Sequence, residues 1–383
     1  MTKVVLMAIP LSLAAFYLIP LSRLKRFLLG VPTGVGLALL LSYLVPSGIL
    51  VYLVSFAIMA SIFAIFSLGL NVQWGYTGLF NIGIAGFFAI GAFTSALFTT
   101  AMPSETLRAY GHSQAFGLEM PFLVGVAAGA CASGIVAWLI GFPTLRLRED
   151  YLAIATIGIA EIIRLIFQNE SWLANGPQPL IVPQPLRCLA QEPSCGPSWL
   201  PALAPQDYDY LYFVIVVLFL ALLYCAIERI SRSPWGRVLR AIREEEAATA
   251  TSGKNIFAFK MQALIVGACV MGIGGALYAH AMGSISYADF SPLYATFIIW
   301  VMLMLGGSGN NKGAVLGAFV IWGVWMGSAF VTDWLRPLLQ AISPELPARS
   351  PYIRYLFIAI LLELILLFRP QGLLGEEKHV STL

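Results

Sequence analysis

Glu161 and Arg164 stand three residues apart in the apolar run AIATIGIAEIIRLIF, so on a helix they share one face and can pair. Charge at membrane depth is costly, and such a pair serves either as a structural ion pair or as part of a polar pathway; both readings stand. Glu363 is the only ionisable residue in LLELILLF, and by the same cost is expected to face another helix or a cavity. Asp289 and Asp333 lie near the ends of apolar runs, where water reaches them. The three histidines, His112, His280 and His379, are scattered, and no cysteine pair has zinc-ligand spacing, so no metal site is expected. There is no GxSxG, HExxH, CxxC or Walker motif, which leaves an enzyme without a catalytic constellation. The glycine-rich LGGSGNNKG at 305–313 fails as a phosphate cradle because Lys312 is followed by Gly313 rather than a hydroxyl residue. It reads as a tight hairpin between two apolar runs.

These residues must be positioned by elements built for lipid. Of 383 residues, 59% are hydrophobic and 11% charged, with a mean hydropathy of +0.84, against about 25% charged in soluble domains. The pattern is that of an all-α polytopic membrane protein with about eleven transmembrane helices, some discontinuous or broken by glycine. The spans fall near 4–20, 28–46, 48–70, 78–100, 121–142, 151–168, 210–229, 259–283, 290–306, 313–335 and 352–369. Residues 1–383 are expected to form a single transmembrane domain. A net charge of +3 is too small to suggest nucleic acid, and the basic residues matter by position. Arg146, Arg148, Arg232, Arg237, Arg240, Arg243 and Lys312 fall in loops that alternation places on the side of Arg23, Lys25 and Arg26. By the positive-inside bias that side is cytoplasmic, with the N-terminus outside and the C-terminus inside. Residues 230–258 then form a cytoplasmic loop and residues 170–209 an extracytoplasmic one. Cys131, Cys225 and Cys269 lie in apolar runs and are expected to pack as small hydrophobes. Cys188 and Cys195, in the outer loop, are either a disulfide or two thiols.

NVQWGYTGLFNIGIAGFFAIG, residues 71–91, is too rich in glycine to be one plain helix. Small residues such as Gly83, Gly86 and Gly91 allow close helix packing. A broken span whose freed backbone groups line a polar pathway is the other reading, favoured by Asn71, Gln73, Tyr76, Thr77 and Asn81. The two are compatible.

SRSPWGRVLRAIREEEAATATSGKNI, residues 231–256, is a polar insert between apolar runs. Ser233 can cap a helix, Pro234 suits its first position, the following residues favour helix, and Gly253 can end it in a left-handed conformation. Ala247, Ala248 and Ala250 give it a small-residue face behind three carboxylates, suited to seating in a partner's groove.

With its EEEAA run and later glycine, this insert resembles the EAA motif in the cytoplasmic coupling helix of ABC importer permeases. The chain is similar, more closely, to the branched-chain amino acid (LIV-type) permeases of the M-subunit kind. SLGLNVQWGYTGLFNIGIAGFFAIGAF at 67–93, GFPTLRLREDYLAIATIGIAEIIRL at 141–165, the insert, WVMLMLGGSGNNKGAVLGA at 300–318 and FRPQGLLG at 368–375 carry that likeness. The resemblance implies a subunit of an ATP-driven importer in the bacterial inner membrane. Its partners would be a second homologous permease, two cytoplasmic ATPases holding ATP and Mg, and a periplasmic binding protein, with no cofactor on this chain. Arg243, Glu244, Glu245, Glu246, Ala247, Ala248 and Gly253 would form the coupling helix. Two departures are visible: Gly253 follows Ala248 by five residues where the motif has four, and Asn81 and Ile84 stand where many relatives have Ser and His. Asn71, Gln73, Tyr76, Asn81 and Glu161 are the candidate pathway residues. The implied cargo is a branched-chain or related amino acid; the alternatives are urea or short amides on the same architecture, and a stand-alone ion-coupled transporter.

Overall fold

The computed structural model describes residues 47–103, 114, 116–185, 208–343, 352–369 and 371–375. The expected spans 4–20 and 28–46, the Cys188 and Cys195 pair and the remainder of the outer loop lie outside these residues. Apolar runs of about 20 residues become helices because hydrocarbon leaves the backbone no partner but itself. The described helices are α1 (Ser47–Leu70), α2 (Ile84–Thr99), α3 (Phe122–Thr144), α4 (Glu149–Asn169), the one-turn α5 (Ser171–Ala174), α6 (Tyr208–Ser231), α7 (Pro234–Glu244), α8 (Glu246–Thr251), α9 (Ile256–Met282), α10 (Ile298–Gly306), α11 (Asn311–Ile342) and α12 (Ile353–Phe368). Two π-helical turns interrupt the pattern, Asn71–Gly75 after α1 and Leu293–Phe297 before α10. Among the described residues, five helices are long and apolar enough to cross a membrane: Gly48–Gly75, Phe122–Thr144, Tyr208–Ser231, Ile256–Met282 and Asn311–Pro337. Ile84–Thr99 and Leu293–Gly306 are shorter apolar helices. The structure is that of a multi-pass, mostly helical membrane protein.

Side-chain caps set several boundaries. Asn255 Oδ1 accepts the Ala258 amide at 3.1 Å to start α9, and Asn310 Oδ1 accepts Lys312 and Gly313 at 3.0 and 3.3 Å to start α11. At 32 residues, α11 is about 48 Å long, more than a hydrocarbon core of about 30 Å requires. Its ends therefore extend past the core or tilt within it.

α9 lies at the centre, packed against α1, α2 and α3. Helices in lipid gain little from excluding water, so close backbone approach and side-chain hydrogen bonds hold them together. Gly91 and Gly272 show the approach: a Cβ on Gly91 would lie 2.3 Å from the Gly272 carbonyl oxygen. The expected close packing is thus present. Ser133 donates to the Phe87 carbonyl at 3.1 Å, joining α3 to α2, and Tyr212 donates to the Leu277 carbonyl at 2.5 Å, joining α6 to α9.

The fold departs from a purely helical one at a single two-residue ladder among the described residues. Leu180–Ile181 pairs antiparallel with Ser284–Ile285 just beyond α9. Next to it, the buried His280 donates from Nδ1 to the Pro183 carbonyl at 2.8 Å. A carbonyl can only accept, so the proton is assigned to Nδ1, leaving Nε2 to accept from Ser95 at 3.1 Å. The histidine clips a loop to α2 and α9. Cys131 and Cys225 are exposed on the helix surface and Cys269 is half-buried, so only the last is packed in the manner expected. Glu363 is exposed on this chain; no helix or cavity of the described residues encloses it.

Candidate functional site

The end of α1 is where polar side chains converge. Beyond Leu70 the helix widens into the π-turn Asn71–Gly75, and the chain then runs as an irregular segment to Gly83 before α2 begins. Such a break exposes backbone groups that must find partners inside the protein. The Asn71 carbonyl accepts the Tyr76 amide at 3.0 Å, Val72 accepts the Thr77 hydroxyl at 3.0 Å, Gln73 accepts the Leu79 amide at 2.9 Å and Trp74 accepts the Gly78 amide at 2.9 Å. Gly75, the last in the turn, accepts from the Arg243 guanidinium. Around α2's start, the Ile82 amide donates to Thr156 and the Ala85 amide to Thr296, both at 3.1 Å.

Three amides pin the segment to its surroundings. Gln73 Nε2 donates to the Leu264 carbonyl of α9 at 2.9 Å, while its Oε1 accepts Asn81 Nδ2 at 2.8 Å. Asn81 Oδ1 accepts the Gly83 amide at 2.8 Å. Asn71 Oδ1 accepts the Gly309 amide at 2.8 Å, and its Nδ2 donates to Asn311 Oδ1 at 2.9 Å. Asn311 Nδ2 in turn donates to Glu228 Oε2 at 2.7 Å, and Glu228 pairs with Arg232 at 2.5 Å. The 305–313 hairpin, expected as a simple connection, is therefore part of the site. Residues 371–375 clasp it: the Leu373 and Leu374 amides donate to the Leu305 and Gly306 carbonyls at 2.8 and 3.2 Å, and Asn310 Nδ2 donates to the Gly375 carbonyl at 3.1 Å.

Asn71, Gln73, Tyr76 and Asn81 are thus brought together, each no more than 5% exposed. In this conformation the amides hold the break closed instead of facing an open channel. Glu161 does not join them. It is bound by the Arg164 guanidinium, which lies 5.7 Å from the Tyr287 ring centroid, and the carboxylate is 36% exposed on α4. The part-exposed side of the broken segment is formed by Trp74, Gly78, Phe80 and Ile82. Trp74, Phe80 and Trp300 enclose one another with ring centroids 5.0 to 5.2 Å apart, and Trp300 Nε1 donates to the Asn81 carbonyl at 3.2 Å. Sequence reading missed Trp300, Asn311 and Glu228; only the polarity of the last two within their neighbourhoods gave any signal.

The polar insert folds as two helices rather than the one expected. α7 starts at Pro234 as read, but Ser233 donates its hydroxyl back to the Ile230 carbonyl at 2.6 Å and does not cap it. The helix stops at Glu244, Glu245 is extended at φ −154°, and α8 runs Glu246–Thr251. Three carboxylates at the negative end of one helix are unfavourable, and the break moves Glu246 into the positive first turn of the next. Glu246 also pairs with Lys260 at 2.6 Å. Gly253 has φ +76°, the left-handed end predicted for it. Glu244, Glu245, Ala247, Ala248 and Ala250 are exposed, whereas Thr249 is buried. Arg243 points the other way, into the protein, and reaches the π-turn. A small apolar cleft behind α7 is lined by Tyr76, Ile227, Trp235 and Leu239.

A family described as the permease component of branched-chain amino acid transport systems matches residues 52–366. The chain belongs to that family. This permease is 32% identical to the high-affinity branched-chain amino acid transport system permease protein LivM of Salmonella typhimurium, over 84% of its own length and 69% of the relative. The probable LivM protein of Methanocaldococcus jannaschii is 27% identical over 84% of this permease and 92% of the relative. The nucleoside ABC transporter permease protein NupC of Lactococcus lactis is 24% identical over 76% and 84%. No solved structure matches the permease. It is a transport subunit of the ABC class, not an enzyme.

Proposed function

We propose that this permease imports branched-chain or related amino acids across a bacterial inner membrane, using ATP and Mg on two partner ATPases. A periplasmic binding protein delivers the cargo, and a second homologous permease completes the pathway. The likeness to LivM proteins over 84% of the chain carries this reading. Local structure supports it: α7 and α8 present an exposed surface of carboxylates and alanines of the kind a coupling helix offers, and the basic residues around them are of the kind a cytoplasmic loop carries. Asn71, Gln73, Tyr76 and Asn81 set the conformation of the pathway, while Glu161 is a local ion pair beside it.

Vesicles holding this permease with its second permease and ATPases, supplied with binding protein, are expected to accumulate leucine when ATP is enclosed with the ATPases. Likeness to nucleoside permeases favours a second cargo, so a nucleoside is tested alongside, with urea and acetamide. Uptake of only nucleoside or amide would replace the amino acid reading. Uptake driven by an ion gradient without ATPases would overturn the importer reading altogether.

A further inference from the structure

We propose that Arg243 and Glu228 are positioning residues that fasten the insert of α7 and α8 (residues 231–256), taken here as the docking loop, to the two ends of the π-turn, so that movement of the loop is delivered to the break in α1. The inference rests on the importer reading for its cause of motion, but its geometry stands apart from it. Glu228 lies in the last turn of α6 and Arg243 in the last turn of α7, so they bracket the bend at residues 231–233 that turns the chain into the docking loop. Both reach the same five residues from opposite ends. Glu228 acts on Asn71, the first, through Asn311 at 2.7 and 2.9 Å; Arg243 acts directly on the carbonyl of Gly75, the last.

Each link is hard to lose without cost to the turn. The other carbonyls of the π-turn accept from donors within residues 76–79, whereas the donor to Gly75 comes from the docking loop itself. Gly78 lies under the same arginine: a Cβ there would meet the Arg243 side chain at 3.1 Å. A charged donor on a neutral carbonyl is a strong hydrogen bond, and a guanidinium keeps its charge throughout. Asn71 is fully buried, so Asn311 and Gly309 must supply its partners. The remaining contacts of α7 with the body include the apolar cleft around Tyr76, Trp235 and Leu239 and the Trp235 Nε1 hydrogen bond to Gln262 of α9 at 2.7 Å, none of which touches the carbonyls of the π-turn. The polar links define how far the turn follows.

The test uses the full-length permease. In Arg243→Gln, amide exchange at Tyr76, Gly78 and Leu79 is expected to accelerate about ten-fold, since the turn opens locally without global unfolding. Arg237→Gln, an exposed change on the same helix, leaves exchange there unaltered, and Arg243→Lys restores most of the protection. Glu228→Gln produces faster exchange centred on the first half of the turn. In the assembled complex, the Arg243→Gln permease still co-purifies with its ATPases, but cargo moved per ATP hydrolysed falls about ten-fold. Exchange identical to the parent in Arg243→Gln would overturn the fastening. Faster exchange with undiminished cargo per ATP would overturn the coupling role, and loss of ATPase co-purification would make Arg243 a docking residue instead. A parent complex that transports no cargo with ATP would sink the importer reading and the coupling role with it, while exchange would still report the fastening.

Discussion

Asn81 donates its amide to Gln73 Oε1 at 2.8 Å, closing the broken segment onto the turn that starts it. The same Asn81 side chain accepts from Gly83 at 2.8 Å, so one residue holds both sides of the gap between α1 and α2. Asn81→Leu leaves Gln73 Oε1 and the Gly83 amide without these partners in a buried site. A loss of about 2 to 4 kcal/mol is expected, read as a lower thermal midpoint in detergent. Asn81→Gln, which keeps both groups at a longer reach, recovers part of it.

Gly91→Val tests the backbone contact of α2 with α9. Even a Cβ would stand 2.3 Å from the Gly272 carbonyl, so the helices must separate. A cost at or above the upper end of the roughly 1 to 3 kcal/mol seen for overpacking is expected. The measurement is the yield of monodisperse permease after extraction. Gly158→Ala, with open space around its position, retains the parent yield.

For the Glu161 and Arg164 pair, a structural role predicts a small effect. Both side chains are partly exposed and adjacent on α4. Glu161→Gln is expected to keep leucine uptake within about two-fold of the parent, since among the described residues the carboxylate pairs only with its neighbour Arg164 and not with the broken segment. Abolished uptake with normal assembly would return Glu161 to the pathway.

On the proposed docking role of α7 and α8, docking is expected to be separable from folding. Glu245→Lys changes an exposed side chain at the break between the two helices, and is expected to weaken ATPase co-purification without changing membrane insertion. Glu246→Lys sets two ammonium groups against each other because Lys260 lies 2.6 Å from the present carboxylate. It therefore disturbs α8 as well as the surface. At Gly253, where φ is +76° and the surroundings are open, valine meets backbone strain rather than crowding, roughly 1 to 2 kcal/mol confined to the loop. ATPase binding reports it; the thermal midpoint of the whole permease does not.

The helices were legible because a run such as GILVYLVSFAIMASIFAIFSLGL has one stable form in hydrocarbon. The break at 71–83 was legible too, since glycines and amides at that depth contradict a plain helix. What held the break was not. Asn71 meets Asn311 across 240 residues of sequence, and nothing local to either names the other. Trp300 reads as one more apolar residue until its indole is seen to donate to Asn81. The division of the insert at Glu245 had a readable cause, three consecutive carboxylates opposing a helix dipole, but strong helix formers on both sides masked it. Glu363 shows the limit differently: its exposure is a property of one chain, and its environment in the assembly depends on what packs against α12.

The clasp formed by residues 371–375 orders events in time. The 305–313 hairpin anchors Asn71, yet its own carbonyls at Leu305 and Gly306 are bonded by amides nearly seventy residues later in the chain. A ribosome delivers α1, its π-turn and α2 long before those amides exist. Asn81, Arg243 and the Leu264 carbonyl can hold the break earlier, but the hairpin that holds Asn71 stays unclasped until Leu373 and Leu374 emerge. A nascent permease is predicted to stay protease-sensitive at this hairpin until Leu373 and Leu374 have left the ribosome.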